Sequence, residues 1–537
     1  MNKKISNQIS EFFIKNNLIF DKTKIIVEKS KNFGDFSTNV ALIFSKQNKL
    51  KPLELAEKIK NWLDQQELGL EKIELAPPGF LNFFVSKTEY SKIVKKIIDQ
   101  NENFGRSFLS KKINVEFVSA NPTGFLHLGH LRSAVIGDIL SNILEFSGNS
   151  VLREYYVNDF GSQIDKLVGS VFARYQQIFK DIPLPEEAYL GEEIILMAKN
   201  FFDEYGNKFE SSSLENPEIY SIFRQKALDF FLSEIKKDLS NLSIKFDKFA
   251  SESDLFLSGK VQKTLETLEN IGYAYKKDNA LWLKTSDFGD QKDRVLIKNG
   301  GNYTYFSSDI AYHLHKINSE FKPDILINIW GADHIGYVDR VNAALKIANQ
   351  ENKLQILLYQ LVKLVKNGQE FKMSKRKGQT FTIKDLLQVA NADAIRYFIA
   401  ERGYNSLVEF DVDLASSIDS QNPLFLIQYA HARAVNLLAK SNLNVQNLTT
   451  FKLENETNLI SKLNQFEEIV LKIAKNYKIN LLPKYLLELA NLFNSFYSNT
   501  KILNNSDTNN LLCLTKAVSI VLKNGLKLLG IKAKERI

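Results

Sequence analysis

The segment running from Ile113 to Val157 constrains the fold more than any other part of the chain. Residues 113–118 form an apolar strand candidate. Asn121-Pro122-Thr123-Gly124 is a turn, helical spacing runs from about 129 to 146, and Gly148-Asn149 ends it before a second strand candidate at 151–157. Strand, helix and strand in this order make a βαβ unit, which belongs to a parallel, doubly wound sheet. Residues 324–330 supply another near-continuous apolar strand, as strands covered on both faces require, and 360–365 a further one. The predicted fold is α/β: a Rossmann-type catalytic region over 111–410, with a polar helical insertion at about 165–285.

The flanks read differently. Residues 1–110 look like a separate α+β domain, with a turn cluster at Gly34-Asp35-Phe36-Ser37-Thr38-Asn39, helical spacing at 53–63, and a strand at 79–85 after Pro77-Pro78. Residues 101–106 are polar and are read as a linker. From about 411 to 537 the periodicity is helical, with helices predicted at 424–438, 460–477 and 486–496, so an α-bundle is expected.

Charge follows the same division. The chain is +8 overall; residues 1–110 carry 18 basic against 13 acidic side chains, residues 111–424 carry 37 against 42, and residues 425–537 carry 15 against 7. Basic ends around an acidic middle suit a polyanion that touches both ends. A Lys-rich solvated surface would look the same. The single cysteine, Cys513, excludes a disulfide framework and a cysteine-based zinc site. No stretch approaches about 20 consecutive apolar residues, and no signal peptide is read at the start, so a cytoplasmic protein without a membrane contact is expected.

Two constellations carry chemistry. His127-Leu128-Gly129-His130 stands at the start of the first helix of the βαβ unit. Imidazoles there can donate toward phosphate oxygens, and the free N–H groups of the helix terminus would add attraction for an anion. A pair of surface histidines on a turn is the alternative. Lys372-Met373-Ser374-Lys375-Arg376-Lys377-Gly378 follows a late strand. Its ammonium groups can neutralise charge on a leaving pyrophosphate, although a basic surface loop has the same composition.

Together and in this order, the two motifs resemble the HIGH and KMSKS signatures of class I aminoacyl-tRNA synthetases, with Leu128 in place of Ile and Arg376 in place of Ser. The run Val115-Glu116-Phe117-Val118-Ser119-Ala120-Asn121-Pro122-Thr123-Gly124 resembles the arginyl-tRNA synthetase family. So do Arg153-Glu154-Tyr155-Tyr156-Val157-Asn158-Asp159, Tyr305-Phe306-Ser307-Ser308-Asp309 and Gln428-Tyr429-Ala430-His431-Ala432-Arg433. Asp393-Ala394-Ile395-Arg396 is similar to the DALR sequence that names the family's anticodon-binding domain.

The resemblance implies ATP-dependent activation of L-arginine and transfer to the 3′ end of tRNA(Arg), with Mg²⁺ on the phosphates and no protein-held metal. Catalytic roles fall on His127, His130, Lys372 and Lys375. Candidate ATP contacts are Thr123, Gly124, His127, Gly129, His130, His334, Met373, Ser374 and Lys375. Arginine contacts, by the family's pattern, are Glu116, Ser119, Asn121, His130, Tyr305, Asp309 and Asp333, the last at a position where other members carry Gln. A guanidinium offers a planar fork of donors and calls for a carboxylate, for which Asp309 is the expected main partner. Asp309 as a helix N-cap is the competing reading. Candidate tRNA contacts are Asn39, Phe80, Asn82, Tyr429 and Arg433. A monomer is expected. Another class I synthetase, a small-molecule nucleotidylyltransferase and a non-enzymatic RNA-binding relative are the rival functions.

Overall fold

A computed structural model describes residues 1–30, 33–370, 381–441, 448–451 and 454–537. At its centre lie five parallel strands in the spatial order Leu354–Tyr359, Ile325–Gly331, Lys112–Glu116, Ser150–Val157, Lys248–Ser251. Numbered along the chain and read from the Lys248–Ser251 edge, this order is 3-2-1-4-5, the doubly wound arrangement. Its crevice opens where the winding reverses, between Lys112–Glu116 and Ile325–Gly331, at the carboxyl ends of the strands. Register in that gap sets Glu116 against Asn328.

Three expectations are corrected. The strand predicted at 360–365 is Val362–Lys366, and it lies outside the main sheet, pairing with Gln369–Glu370 and Val408–Asp411. The fifth strand is instead Leu354–Tyr359, which a period-based reading passed over because Lys353 and Gln355 interrupt the apolar run. The range read as a helical insertion holds a strand of the main sheet, Lys248–Ser251, and opens a three-stranded antiparallel sheet (Ala274–Lys277, Ala280–Leu283, Arg294–Ile297). Four-residue strands are too short to show a period.

The N-terminal region has its own core, built from Ile5, Phe13, Phe44, Ile59 and Phe83 among others, on a four-stranded antiparallel sheet. That core stops at Phe83. The next helix, Lys87–Gln100, packs on the C-terminal helix Thr508–Leu528 and shares its core with the central sheet. The predicted linker is pinned as well. Phe104 is fully buried, and Asn524 donates to the carbonyls of Asn101 and Phe104.

The C-terminal region is helical: Pro423–Ala439, Glu454–Asn464, Phe466–Asn476, Leu481–Asn499 and Thr508–Leu528. A buried arginine helps join it to the sheet. Arg396 is fully buried and donates to Leu529 O (2.7 Å), Leu242 O (2.9 Å) and the Asp138 carboxylate. Asp138 lies on Leu128–Phe146, the helix that starts at the histidines. Arg396→Met would leave that carboxylate buried and unpaired, and a broken buried pair costs about 3–5 kcal/mol. The urea midpoint should fall accordingly; an unchanged midpoint would mean that solvent already reaches Asp138.

Candidate functional site

A cavity of about 910 Å³ opens at the crevice, with Glu116, His130 and Asp309 on its walls. Leu128–Phe146 enters it end-on. Its first residues are held by their own histidines: Gly129 N donates to His127 Nδ1 (3.0 Å), and His127 N donates to His130 Nδ1 (3.4 Å). The rings stack with centroids 3.8 Å apart. Because each Nδ1 accepts, each neutral ring carries its proton on Nε2, the remaining donor. Burial lowers the pKa of both rings, that of His130 to about 3 with His127 adding to the effect. Both imidazoles are therefore uncharged donors at neutral pH. Gly129 is required by closeness: a Cβ there would lie 2.8 Å from the His127 ring.

The backbone donors of this helix start are not free, contrary to expectation. Leu128 N goes to Phe381 O, Gly129 N to His127 Nδ1, and His130 N to His127 O. The first of these bonds belongs to a short pairing with large consequences. Ile383 N donates to Leu126 O, and His127 bridges Thr382 in antiparallel fashion. The segment that leaves the lysine motif is thus stitched to the histidine turn. Lys372, Met373, Ser374 and Lys375 themselves lie outside the described residues.

The opposite wall comes from the central strand and the helix Tyr305–Ile317. After Glu116 the chain turns through left-handed conformations at Val118 (φ 67°) and Ser119 (φ 43°), uncommon for residues with a side chain and most of all for a β-branched one. The turn lets Ser119 Oγ donate back to Glu116 Oε1 (3.2 Å) while accepting from Tyr156 N (3.1 Å). Asp309 is not a helix cap; the N-cap is Thr304, and Asp309 sits one turn inside. Its carboxylate accepts from the Tyr337 hydroxyl. Burial raises its pKa to about 7, with Glu252 and Glu116 adding to the rise, while the Tyr337 hydrogen bond and Lys316 oppose it.

Six of the seven arginine candidates line this cavity: Glu116, Ser119, Asn121, His130, Asp309 and Asp333. Tyr305 does not; it is 55% exposed at the helix start. Asn121 donates to Gln163 Oε1 (2.5 Å). Asp333 is largely exposed at the rim, 3.8 Å from His334, which also lines the cavity. Thr123 and Gly124 stand off the lining, in the turn before the histidines. Sequence reasoning missed Tyr156, Tyr337, Tyr359 and Arg132. Tyr359 fixes the helix start through its bond to Gly129 O (2.9 Å). Arg132, fully buried, holds Gln360 O and Gly403 O (both 2.7 Å). Nothing local in the sequence distinguishes a wall tyrosine from a core one.

Comparison with known proteins gives the family. Residues 93–419 match the catalytic domain of tRNA synthetases class I (R), residues 1–85 the arginyl tRNA synthetase N-terminal domain, and residues 427–537 the DALR anticodon binding domain. An arginine–tRNA ligase of Mesomycoplasma hyopneumoniae (strain 232) is 72% identical over the whole of both chains. The chain belongs to the arginyl-tRNA synthetase family. The arginine–tRNA ligase of Metamycoplasma arthritidis is 42% identical over 95% of each chain. The arginyl-tRNA synthetase structure from Thermus thermophilus matches in fold with a TM-score of 0.77 over the full length of both chains, at 21% identity.

The arginyl-tRNA synthetase candidates for tRNA contact are placed unevenly. Asn39 is exposed and Phe80 is 38% exposed, but Asn82 is buried within the N-terminal sheet, opposite Ser37 and Glu74. Leu81 and Phe83 are fully buried in the core, so alternation sets Asn82 on the opposite face of the sheet, where the flanking strands leave it 6% exposed. In the DALR region the Arg433 guanidinium lies 4.5 Å from the ring centres of both Tyr429 and Tyr497. It donates to Tyr429 OH (2.8 Å) and Asn494 Oδ1 (3.1 Å). Among the described residues no helix is long and apolar enough to cross a membrane.

Proposed function

We propose that the cavity at the sheet crevice binds L-arginine and ATP side by side and joins them as arginyl-adenylate, before the arginyl group passes to the terminal adenosine of tRNA(Arg). Family membership makes the chain an arginine–tRNA ligase. The reading of the site rests chiefly on the pairing of Phe381–Ile383 with Leu126–Leu128, which gives histidine turn and lysine motif one common anchor.

The chemistry then follows from the groups present. The carboxylate of arginine attacks the α-phosphorus and pyrophosphate leaves. His127 and His130 donate Nε2–H to phosphate oxygens as neutral groups. Lys372 and Lys375 supply positive charge from the other motif. No covalent intermediate with the protein is needed, because positioning and charge stabilisation lower the barrier. Asp309 takes the guanidinium. Glu116, Ser119 and Asn121 surround the amino-acid end, and His334 and Gly129 face the nucleotide. Among the described residues no three carboxylate or imidazole groups converge as a metal cage. Mg²⁺ bound to the phosphates of ATP would supply further charge neutralisation there.

The raised pKa of Asp309 gives a pH dependence. Only the carboxylate form pairs with a guanidinium, so kcat/KM for arginine should rise as pH climbs through about 7 and level off above it. A flat profile between pH 6 and 8.5 would show that Asp309 is ionised throughout.

Aminoacylation with a panel of amino acids tests the function. Arginine alone should charge tRNA(Arg), with pyrophosphate released per turnover. Equal charging by lysine, or by any neutral amino acid, would defeat the assignment of Asp309.

A further inference from the structure

Behind the cavity wall lies a cation that the adenylation chemistry does not use. Lys316 is 1% exposed. Its ammonium donates to Glu116 Oε2 (2.6 Å) and to Asn328 Oδ1 (3.3 Å), and sits 4.4 Å from the centre of the Tyr312 ring. Asn328 Nδ2 lies 2.9 Å from His313 Nε2, and His313 Nδ1 lies 2.7 Å from the backbone carbonyl of Asp309. Since a carbonyl only accepts, His313 donates from Nδ1 and accepts at Nε2. A continuous polar chain therefore joins Glu116 to the residue that takes the guanidinium.

A buried ion pair is a weak source of stability; apolar side chains of the same size often do as well. Charge balance gives the pair another use. Two carboxylates on the inner wall face the ligand, Glu116 and Asp309. Lys316 cancels the first. Asp333 is 83% exposed at its side chain, where water screens it. Free L-arginine carries two cationic groups and one anionic group, a net charge of +1.

We propose that Lys316 is a positioning residue that holds Glu116 and cancels its charge, leaving Asp309 as the one uncompensated carboxylate of the arginine pocket, in balance with the net charge of the amino acid. This rests on the reading of the pocket given above. Both functions act through Glu116: Oε2 is committed to the ammonium, so Oε1, steadied by Ser119, is the oxygen left for the ligand. Without the cation, a full negative charge at Glu116 would act on Asp309 through a poorly solvated wall and hold its proton.

The other groups around Asp309 come from four further elements. Tyr337 lies on Ile335–Ile347, with Arg340 against its ring (4.7 Å). Glu252 lies on Glu252–Leu257, Tyr156 on Ser150–Val157, and Arg294, which acts on Tyr337, on Arg294–Ile297. Arg294 is itself paired with Asp290 (2.7 Å), so Lys316 is the cation directly set against the inner carboxylates.

The test is the pH dependence of kcat/KM for arginine in aminoacylation, compared across variants, with the KM for ATP as a control. Lys316→Met should move the acid limb up by about one pH unit and raise the arginine KM roughly fivefold at pH 7, leaving the KM for ATP within about twofold. Lys316→Arg should restore the limb. Glu116→Gln alone should move the limb the other way, since Lys316 is then uncompensated. The double variant Glu116→Gln, Lys316→Met should return it close to the wild-type position even though its KM is raised.

A limb that stays in place in Lys316→Met while the unfolding midpoint drops would show a purely structural lysine and overturn the proposal. So would a double variant whose limb stays with that of Lys316→Met. If Lys316→Met does not fold, Glu116→Gln decides, and an unmoved limb overturns the proposal. Absence of arginine-dependent charging in the wild type would instead reject the pocket itself, a separate outcome.

Discussion

Replacing Asp309 with Ala should lower kcat/KM for arginine by about 10²–10³-fold, nearly all of it in KM. Loss of one partner of a close, desolvated charge pair costs about 3–4 kcal/mol, and each 1.4 kcal/mol is a factor of ten. The effect should be confined to the amino acid, with the KM for ATP little changed. Asp309→Asn isolates the charge, because the amide oxygen can still accept from Tyr337 while offering nothing ionic to a guanidinium. It should lose almost as much as Ala. If Asn keeps most of the activity, hydrogen bonding rather than charge selects arginine. If Ala leaves the arginine KM unchanged, the guanidinium lies elsewhere.

The second large effect belongs to the histidine turn. His127→Ala should lower kcat about 10²–10³-fold, the loss expected for removing one positioned donor to a developing anion. Two things are removed together, the Nε2 donor and the acceptor that holds Gly129 N. The pH profile of kcat separates neutral donation from charge. With His130 held to about 3 and burial lowering His127 from its ordinary value, kcat should not fall as pH climbs from 7 to 8.5. A loss of kcat on raising pH through about 6.5 would mean that the protonated rings act instead.

How far the sequence foretold this site depends on how local each feature is. The βαβ unit at 113–157 and the histidine turn were legible because period, turn residues and motif all fall within one short window. Asp309 was legible only through resemblance, since Ser307-Ser308-Asp309 reads equally well as a cap. The structure decides against the cap because Thr304 occupies that place. The covering of Asn82 was not legible, because it comes from the neighbouring strands that set Ser37 and Glu74 beside it.

Other features are long-range and could not be read at all. Arg396 meets carbonyls 133 and 154 residues away, and Lys316 reaches Glu116 across 200 residues. Nothing near either residue marks it as buried. The strand Lys248–Ser251 was hidden in a stretch read as an insertion, because its partner on the sheet is distant and its own four residues carry no period. The pairing of Phe381–Ile383 with the histidine turn is of the same kind: only backbone geometry assigns the partners.

The most direct measurement is a crystal structure of the protein with L-arginine and a non-hydrolysable ATP analogue. The expected result has triphosphate oxygens about 3 Å from Nε2 of His127 or His130, with Lys375 on the same phosphates and the guanidinium on Asp309. A triphosphate bound away from the histidine turn, or an arginine whose guanidinium points away from Asp309, would contradict it.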